Sequence, residues 1–298
     1  MDAYPIGVFL GITAGVCLNV GFVLQKKAVN DLSPEAREGK LLSSLVRTPA
    51  WIAGLVTQIL GSAVLVMIAQ FFIGPALLPG LMAAGLIAMA VGATKILGER
   101  LRKEEIGGIS LMIVAIVLLA MSGLSVDVTA QDVLDPDFLA RVALFTVVLF
   151  AIILACEFVV RKHDRFPGMV LAIQSGSFLA LANFWVSPFT VNLSHLFEGT
   201  LVLPDELVLG IVGGIMLAIT NVLAISTLQK AFARARASNV VPLQQVPINI
   251  APVFVYFGIF MLAPPSIAAT PLMIAGIALI ITSSYFLARR QAQLDDIR

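Results

Sequence analysis

The sequence predicts an all-α membrane protein, a bundle of nine transmembrane helices arranged in two repeats. Hydrophobic residues make up 59% of the 298 residues and charged residues 12%, whereas a soluble domain has about 25% charged residues. The apolar residues fall in runs of about 20, the length of a helix that crosses a bilayer. In addition, basic residues recur in every second loop, and two proline-containing segments match between the halves.

The apolar runs divide the chain into nine predicted spans, four in a first repeat over residues 1–125 and five in a second repeat over residues 126–298. The inner loop after the first span contains Ser33 and Pro34, which predict the start of a short surface helix because proline is favoured at the first helical position. The predicted spans cover residues 6–25, 49–71, 76–97, 106–124, 138–160, 167–188, 207–229, 237–262 and 270–288.

The loop charges predict the orientation of the protein in the membrane. The loops after the first, third, fifth, seventh and ninth spans hold 18 of the 19 basic residues, and only Arg141 lies on the other side. Cytoplasmic loops are enriched in Lys and Arg. The alternation therefore predicts an integral membrane protein with its N-terminus outside and its C-terminus in the cytoplasm, and we expect it in the plasma membrane.

Two sequence matches relate the halves of the chain. Pro79 falls opposite Pro242, an offset of 163 residues, and residues 22–26 resemble residues 158–162, an offset of 136 residues. The difference of 27 residues is one membrane crossing, so we interpret the sixth span as an insertion. The remaining spans of the two repeats then run mostly in opposite senses, an inverted arrangement that is typical of transporters.

The segment at residues 237–262 is long enough to cross the bilayer, yet it contains Pro242, Pro247 and Pro252. Each proline lacks an N–H and frees a carbonyl one turn earlier. In lipid such a carbonyl is tolerated only against protein or a water-filled cavity. We therefore predict helix breaks at Pro79, Pro242 and Pro247, with the helix loosened around Gln244.

Uncharged polar residues recur inside the predicted spans, and they are candidates for lining a hydrogen-bonding cavity that binds a solute. The alternative is that these side chains only hold helices together. The candidate substrate-binding residues are Asn19, Gln58, Ser62, Gln174, Asn221, Gln245 and Asn249.

Glu157 is the one carboxylate placed inside a predicted span, which makes it a candidate for an ion or coupling role. The alternative is an ion pair with Arg161, four residues later. No phosphate-binding loop and no catalytic or metal-ligand cluster is found at membrane depth. We therefore expect no enzyme activity and no cofactor, and the expected partners are a small solute or cation and the lipid bilayer, without nucleic acid.

Several motifs resemble the drug/metabolite transporter superfamily, with its EamA-like bundle, and most closely its NIPA-type magnesium transporters. They are Gly21–Lys27 at the end of the first span, Trp51–Gly54 opening the second, Gly74–Pro79 opening the third, and Leu97–Leu101 closing it. The resemblance covers most of the chain. It implies a secondary transporter or facilitator that moves Mg²⁺ or another divalent cation.

The chain departs from the NIPA-type pattern in the second span. Gly61 is followed by Ser62 where that pattern has glutamate, and Leu65 stands where it has asparagine. Magnesium prefers carboxylates and keeps much of its water. This departure leaves two alternatives open, an exporter of a neutral or zwitterionic metabolite and a membrane scaffold that transports nothing. Whether the protein forms a homodimer is also left open.

Overall fold

The computed structural model describes residues 4–73, 78–123, 135–162, 166–198 and 204–295, and within these ranges the chain is helical and contains no strand. We number the α-helices in chain order. They are α1 (Tyr4–Asp31), α2 (Pro34–Gly39), α3 (Leu41–Leu45), α4 (Pro49–Val56), α5 (Ser62–Ile73), α6 (Leu78–Met82), α7 (Gly85–Lys95), α8 (Lys103–Met121), α9 (Pro136–Lys162), α10 (Pro167–Glu198), α11 (Pro204–Arg234), α12 (Ala237–Phe254) and α13 (Ala269–Asp295).

Eight helical segments in the described ranges are long and apolar enough to cross a membrane, and they cover eight of the nine predicted spans. The remaining predicted span, residues 76–97, corresponds to the shorter apolar stretch Gly80–Lys95. It is divided between α6 and α7, and its predicted start lies partly outside the described residues. The all-helical membrane fold is thus confirmed, while nine crossings stay a prediction.

Two spans contain a widened turn in which the hydrogen bonds skip one extra residue. One such π turn, Thr57–Gly61, joins α4 to α5, and the other, Val255–Ile259, follows α12. Turns of this kind are often found at functional sites. The first π turn contains Gln58. This residue lies against α1, because the backbone of α1 comes close to it at Gly21.

The centre of the bundle is formed by α1, α10 and α12, with the other spans packed around them. In α10, 72% of the most apolar window is buried inside the bundle, against 17% in α9. Lipid tails are as apolar as the helices, so close contact between small residues holds such bundles together. Gly15 on α1 and Gly176 on α10 provide such contacts, since a Cβ on either would lie within 2.3 Å of a backbone oxygen of the neighbouring helix.

The ends of several helices meet at one end of the bundle, which we call the basic end and define by Lys26, Lys230 and Arg236. Ser33 caps α2 there by accepting a hydrogen bond from the Ala36 N–H, with Pro34 at the first helical position. The short surface helix predicted in this loop is therefore confirmed.

Candidate functional site

A cavity of about 360 Å³ lies between α1, the first π turn, α7, α10 and α12. Its lining contains six amide side chains together with apolar ones, and no charged residue is present among the described residues that line it. The amide side chains belong to Asn19, Gln58, Asn183, Gln244, Gln245 and Asn249.

Four of the predicted substrate-binding residues, Asn19, Gln58, Gln245 and Asn249, thus border the same cavity although they come from both halves of the chain. Asn249 Nδ2 donates to the Gln245 backbone oxygen at 2.8 Å and to Gln245 Oε1 at 3.2 Å. These two amides therefore form a connected pair on the cavity face of α12.

The other three predicted residues do not line this cavity. Ser62 is buried on α5, about 6 Å farther along the span than Gln58. Gln174 faces α9, where its Nε2 donates to the Ile153 oxygen at 3.1 Å. Asn221 Nδ2 donates to the Leu217 oxygen of its own helix at 2.8 Å. Gln174 and Asn221 thus have structural contacts that account for their polarity.

Two amide oxygens of the cavity have no hydrogen-bond partner among the described residues. Asn19 and Gln244 are 2% and 1% exposed, and their side-chain oxygens accept no hydrogen bond from the described residues. Their nitrogens are held, because Asn19 Nδ2 donates to the Gly15 oxygen and Gln244 Nε2 donates to Ser175 Oγ, both at 2.9 Å. A buried acceptor without a donor costs free energy, and both oxygens are themselves buried, so a solute or water meets them only when these side chains turn toward the cavity.

A chain of glutamines closes the cavity toward the basic end. Gln58, which lines the cavity, accepts a hydrogen bond from Gln25 Nε2, and Gln25 Oε1 accepts one from Gln229 Nε2 at 2.6 Å. Gln25 and Gln229 are fully buried. The chain joins α1 to the first π turn on one side and to α11 on the other, so it links the two halves of the protein.

The glutamine chain was missed by the sequence analysis, although the sequence contains a pattern that points to it. The tripeptide Leu-Gln-Lys occurs at residues 24–26 and again at residues 228–230, near the end of α1 and of α11. The two tripeptides meet in the structure through their glutamines. In this protein, two identical polar motifs at the ends of two spans therefore mark a contact between those ends.

Two charged side chains reinforce this closure at the basic end. Lys26 Nζ donates to the backbone oxygens of Phe232 and Ala235 at the end of α11. Glu99 accepts hydrogen bonds from the backbone N–H groups of Ala237 at 2.8 Å and of Ser238 at 3.1 Å, at the start of α12. Each charge complements the partial charge of the helix end that it contacts.

Glu157 lies apart from the cavity. Its Oε1 accepts a hydrogen bond from Arg161 Nε at 2.8 Å, and its Oε2 accepts one from Gln174 Nε2 at 3.3 Å. The ion pair that the four-residue spacing predicts is present. Its surroundings favour a structural role over an ion or coupling role, because neither Glu157 nor its two partners border the amide cavity.

Of the three predicted helix-breaking prolines, one lies close to an interruption of its helix and two do not. Pro79 lies in α6, which ends at Met82, three residues later. In contrast, α12 continues as an α-helix through Pro242 and Pro247, and the departure from α geometry begins only at Val255. The loosening predicted around Gln244 is not observed, because α10 packs against this part of α12 and Gln244 is hydrogen-bonded to Ser175.

No group of three or more His, Cys, Asp or Glu side chains that could hold a metal ion is found among the described residues. Apolar spans around a buried, hydrogen-bonding cavity define an integral membrane protein with a polar interior site, an arrangement that membrane transporters share.

The chain belongs to the NIPA magnesium transporter family, because the family model described as Magnesium transporter NIPA matches residues 2–292. This confirms the resemblance to the drug/metabolite transporter superfamily, of which that family is a member. Comparison with curated proteins and comparison with solved structures give no match.

Proposed function

We propose that this protein lets Mg²⁺ cross the membrane as a hydrated ion that is held by the amide side chains of the central cavity. The observation that carries the proposal is the pair of unpartnered amide oxygens of Asn19 and Gln244. Magnesium gives up its water reluctantly and usually keeps several water ligands. Those waters are hydrogen-bond donors, and the two oxygens are acceptors without a donor.

The volume of the cavity is large enough for a hydrated Mg²⁺ ion. Six waters at about 30 Å³ each occupy about 180 Å³, which is half of the 360 Å³ of the cavity. A hydrated Mg²⁺ ion therefore fits the cavity by volume. A neutral lining binds such an ion weakly, and weak binding suits passage, because a transported ion must leave as well as enter.

A second candidate function is export of a neutral or zwitterionic metabolite. The observation that favours it is the lack of any carboxylate among the described cavity-lining residues, where a divalent cation would gain from a negative charge. Primary amides both donate and accept hydrogen bonds, so the same lining suits a small polar molecule.

The basic end is proposed to face the cytoplasm and to be the closed gate of the cavity. The loop charges support this orientation, since the loops near Lys26, Lys103 and Lys230 are basic. Passage to the cytoplasm would then require the glutamine chain and the contacts of Lys26 and Glu99 to separate. An alternation between closed and open gates around a central site is typical of transporters with inverted repeats.

The proposal is tested by Mg²⁺ flux into liposomes that contain the purified protein and an internal Mg²⁺ indicator. Asn19→Leu removes one unpartnered oxygen, and we expect it to lower the flux about tenfold to a hundredfold, the effect of losing a hydrogen bond of about 1.5–3 kcal/mol to a charged group. Asn221→Leu is the matched control, because Asn221 makes the same contact with its own helix but does not line the cavity.

A panel of neutral and zwitterionic metabolites in the same liposomes separates the two candidate functions. Transport of a metabolite that is sensitive to Asn19→Leu, with no Mg²⁺ flux, would replace Mg²⁺ by that metabolite as the substrate. Equal Mg²⁺ flux in Asn19→Leu and Asn221→Leu would instead remove Asn19 from the pathway.

A further inference from the structure

A second pocket, of about 860 Å³, lies at the basic end between the surface helices α2 and α3 and the last turns of α11. It shares no lining residue with the central cavity. Four basic side chains contribute to it, two from the loop and two from α11, namely Arg37, Lys40, Lys230 and Arg234. No acidic residue is present among the described residues that line this pocket.

The four cations have no carboxylate within 4.0 Å among the described side chains. Arg37 is held at one edge, because its guanidinium donates to the Asn30 oxygen, while its Nε is buried and has no hydrogen-bond partner in the described protein. Among the described carboxylates, Glu157 acts on Lys230 from beyond 4.0 Å while it is paired with Arg161, and the four positive charges around the pocket otherwise repel each other. The pocket therefore has the positive charge that an anionic ligand requires.

The position of the pocket places it at the surface of the bilayer. Lys230 and Arg234 occupy the last turns of the apolar span Leu207–Arg234, where the span leaves the membrane. Beside them α3 and the residue after it expose two apolar side chains, since Leu42 is 36% and Val46 is 56% exposed. Apolar side chains next to basic ones are typical of segments that lie in the headgroup region.

We propose that this pocket binds the phosphate group of an anionic phospholipid from the surrounding bilayer. Arginine pairs with phosphate through two parallel hydrogen bonds, and lysine adds point charge. A volume of 860 Å³ lies within the range of small-molecule sites and accommodates a headgroup beyond its phosphate. Basic pockets between membrane helices are a recognised way of binding such headgroups.

The bound headgroup would act on the closed gate through α11. Ala233 and Arg234 line the pocket, and the neighbouring residues Phe232 and Ala235 offer the backbone oxygens that Lys26 holds. A phosphate that joins Arg37 and Lys40 to the end of α11 therefore fixes the same turn that closes the gate. We expect the lipid to stabilise the folded protein as well as to bind it.

The test uses the full-length protein in a neutral detergent, with dioctanoyl phosphatidylglycerol, dioctanoyl phosphatidylcholine and inorganic phosphate as separate probes. Binding is measured by native mass spectrometry, and thermal unfolding is followed in parallel. We expect phosphatidylglycerol to bind and to raise the melting temperature more than the zwitterionic lipid does. The double variant Lys230→Gln/Arg234→Gln should weaken its binding about 30-fold, from the typical contribution of each basic residue to anionic lipid binding.

The matched control is Lys95→Gln/Lys162→Gln, which removes two cations from the ends of other helices without touching the pocket. This control should keep the affinity for phosphatidylglycerol. If the double variant in α11 does not fold, Lys40→Gln on the exposed loop replaces it, and Lys40→Arg should restore the binding that Lys40→Gln loses.

Unchanged phosphatidylglycerol binding in both pocket variants would overturn the proposal. Binding of inorganic phosphate that is as tight as that of the lipid, and is lost in the same variants, would overturn the lipid as the ligand and assign a soluble phosphate to the pocket. The result is independent of the Mg²⁺ proposal, since none of the altered residues lines the central cavity.

Discussion

The segment α6–α7 and the helix α12 are the two proline-containing segments that match between the halves, and they differ in continuity. Both border the central cavity, and they run in opposite directions, since α7 ends and α12 begins near Glu99. The first segment is interrupted at Ala83 and Ala84, whereas α12 runs unbroken through its prolines to Phe254. A proline in the sequence therefore does not decide whether a membrane helix breaks.

The neighbouring helices account for this difference. At the break, the Leu86 N–H donates to Ala83 and the Ala84 N–H donates to Leu81, so the bonds are those of tight turns. The backbone of α1 is pressed into this turn, because a Cβ on Gly85 would lie 2.1 Å from the Gly15 oxygen. On α12, by contrast, the neighbour α10 supplies the side-chain contact of Ser175 with Gln244. Both segments are thus approached closely by a neighbouring backbone, and they differ in the side-chain hydrogen bond between α10 and α12.

The same contacts favour a revised alignment of the repeats. Gly15 on α1 packs against Met82, and Gly176 on α10 packs against Gln244. These glycines are 161 residues apart (176 minus 15), close to the 163 residues between Pro79 and Pro242. The packing favours α10 as the counterpart of α1, with α9 as the additional helix instead of the sixth span. The boundary near residue 125, with five helices in the second repeat, stays a proposal.

The sharpest test of the predicted topology is the side of the membrane from which the first and the last loop of the second repeat can be labelled. After Cys17 and Cys156 are replaced by Ala, a cysteine at Asp132 should react only with an impermeant reagent added outside, and one at Gln291 only after the membrane is opened. The effect is all or none, because an odd number of crossings separates the two sites. Labelling of both from the same side contradicts nine crossings.

The next largest effect concerns the two glycine contacts. An added Cβ would lie 2.2 Å from the Gln244 oxygen at Gly176 and 2.3 Å from the Met82 oxygen at Gly15. We expect both Gly→Ala changes to lower the free energy of unfolding by about 1–3 kcal/mol, the cost of overpacking. Gly176→Ala should cost more, because continuous α12 cannot yield as the break after α6 can.

Thermal unfolding in detergent measures these changes, with Gly258→Ala as the control, since a Cβ at Gly258 meets nothing within 4 Å. A larger loss in Gly15→Ala than in Gly176→Ala would show that the interrupted segment is the more rigid of the two. That outcome would overturn the account in which contacts open α6–α7 and hold α12 closed.

A smaller effect is expected at Glu99, which closes the basic end between the two segments. Glu99→Gln removes a charge from the first turn of α12, and the loss of this cap should cost about 0.5–2 kcal/mol. Expression and melting temperature should fall, while selectivity between ions stays as in the unaltered protein. Glu104→Gln, an exposed carboxylate in the first turn of α8, is the control. A change of selectivity at normal stability would assign Glu99 to the pathway.

The helices were predictable from the sequence because a bilayer crossing leaves a long apolar run. Four of the six cavity amides were predictable as well, because polar residues inside the spans stand out, and Gln245 and Asn249 lie four residues apart on one polar face of α12. The rest was not, because periodicity shows which face of a helix is polar but not which helix covers it. Gln174 and Asn221 look the same in sequence as Asn19, yet Gln174 faces α9 and Asn221 does not border the cavity.

The smallest effect on stability is expected at Gln245, which makes it the cleanest probe of the cavity. Gln245→Leu keeps the approximate size of the side chain and removes its hydrogen bonds. Asn249 loses only one of two acceptors, because its Nδ2 still donates to the Gln245 backbone oxygen at 2.8 Å. The melting temperature should therefore change little, while flux through the liposomes should fall about tenfold or more, as the cavity loses one polar group that meets the solute.

Gln174→Leu is the opposite case and serves as the comparison. Its amide contacts Ile153 and Glu157 outside the cavity, so its loss leaves the Glu157 carboxylate with one partner fewer and should lower stability by about 1–3 kcal/mol without a specific loss of flux. Normal stability together with unaltered flux in Gln245→Leu would exclude this side chain from the pathway. A loss of stability that accounts for the loss of flux would make Gln245 a packing residue, and α12 would then contribute to the pathway through Gln244 and Asn249 alone.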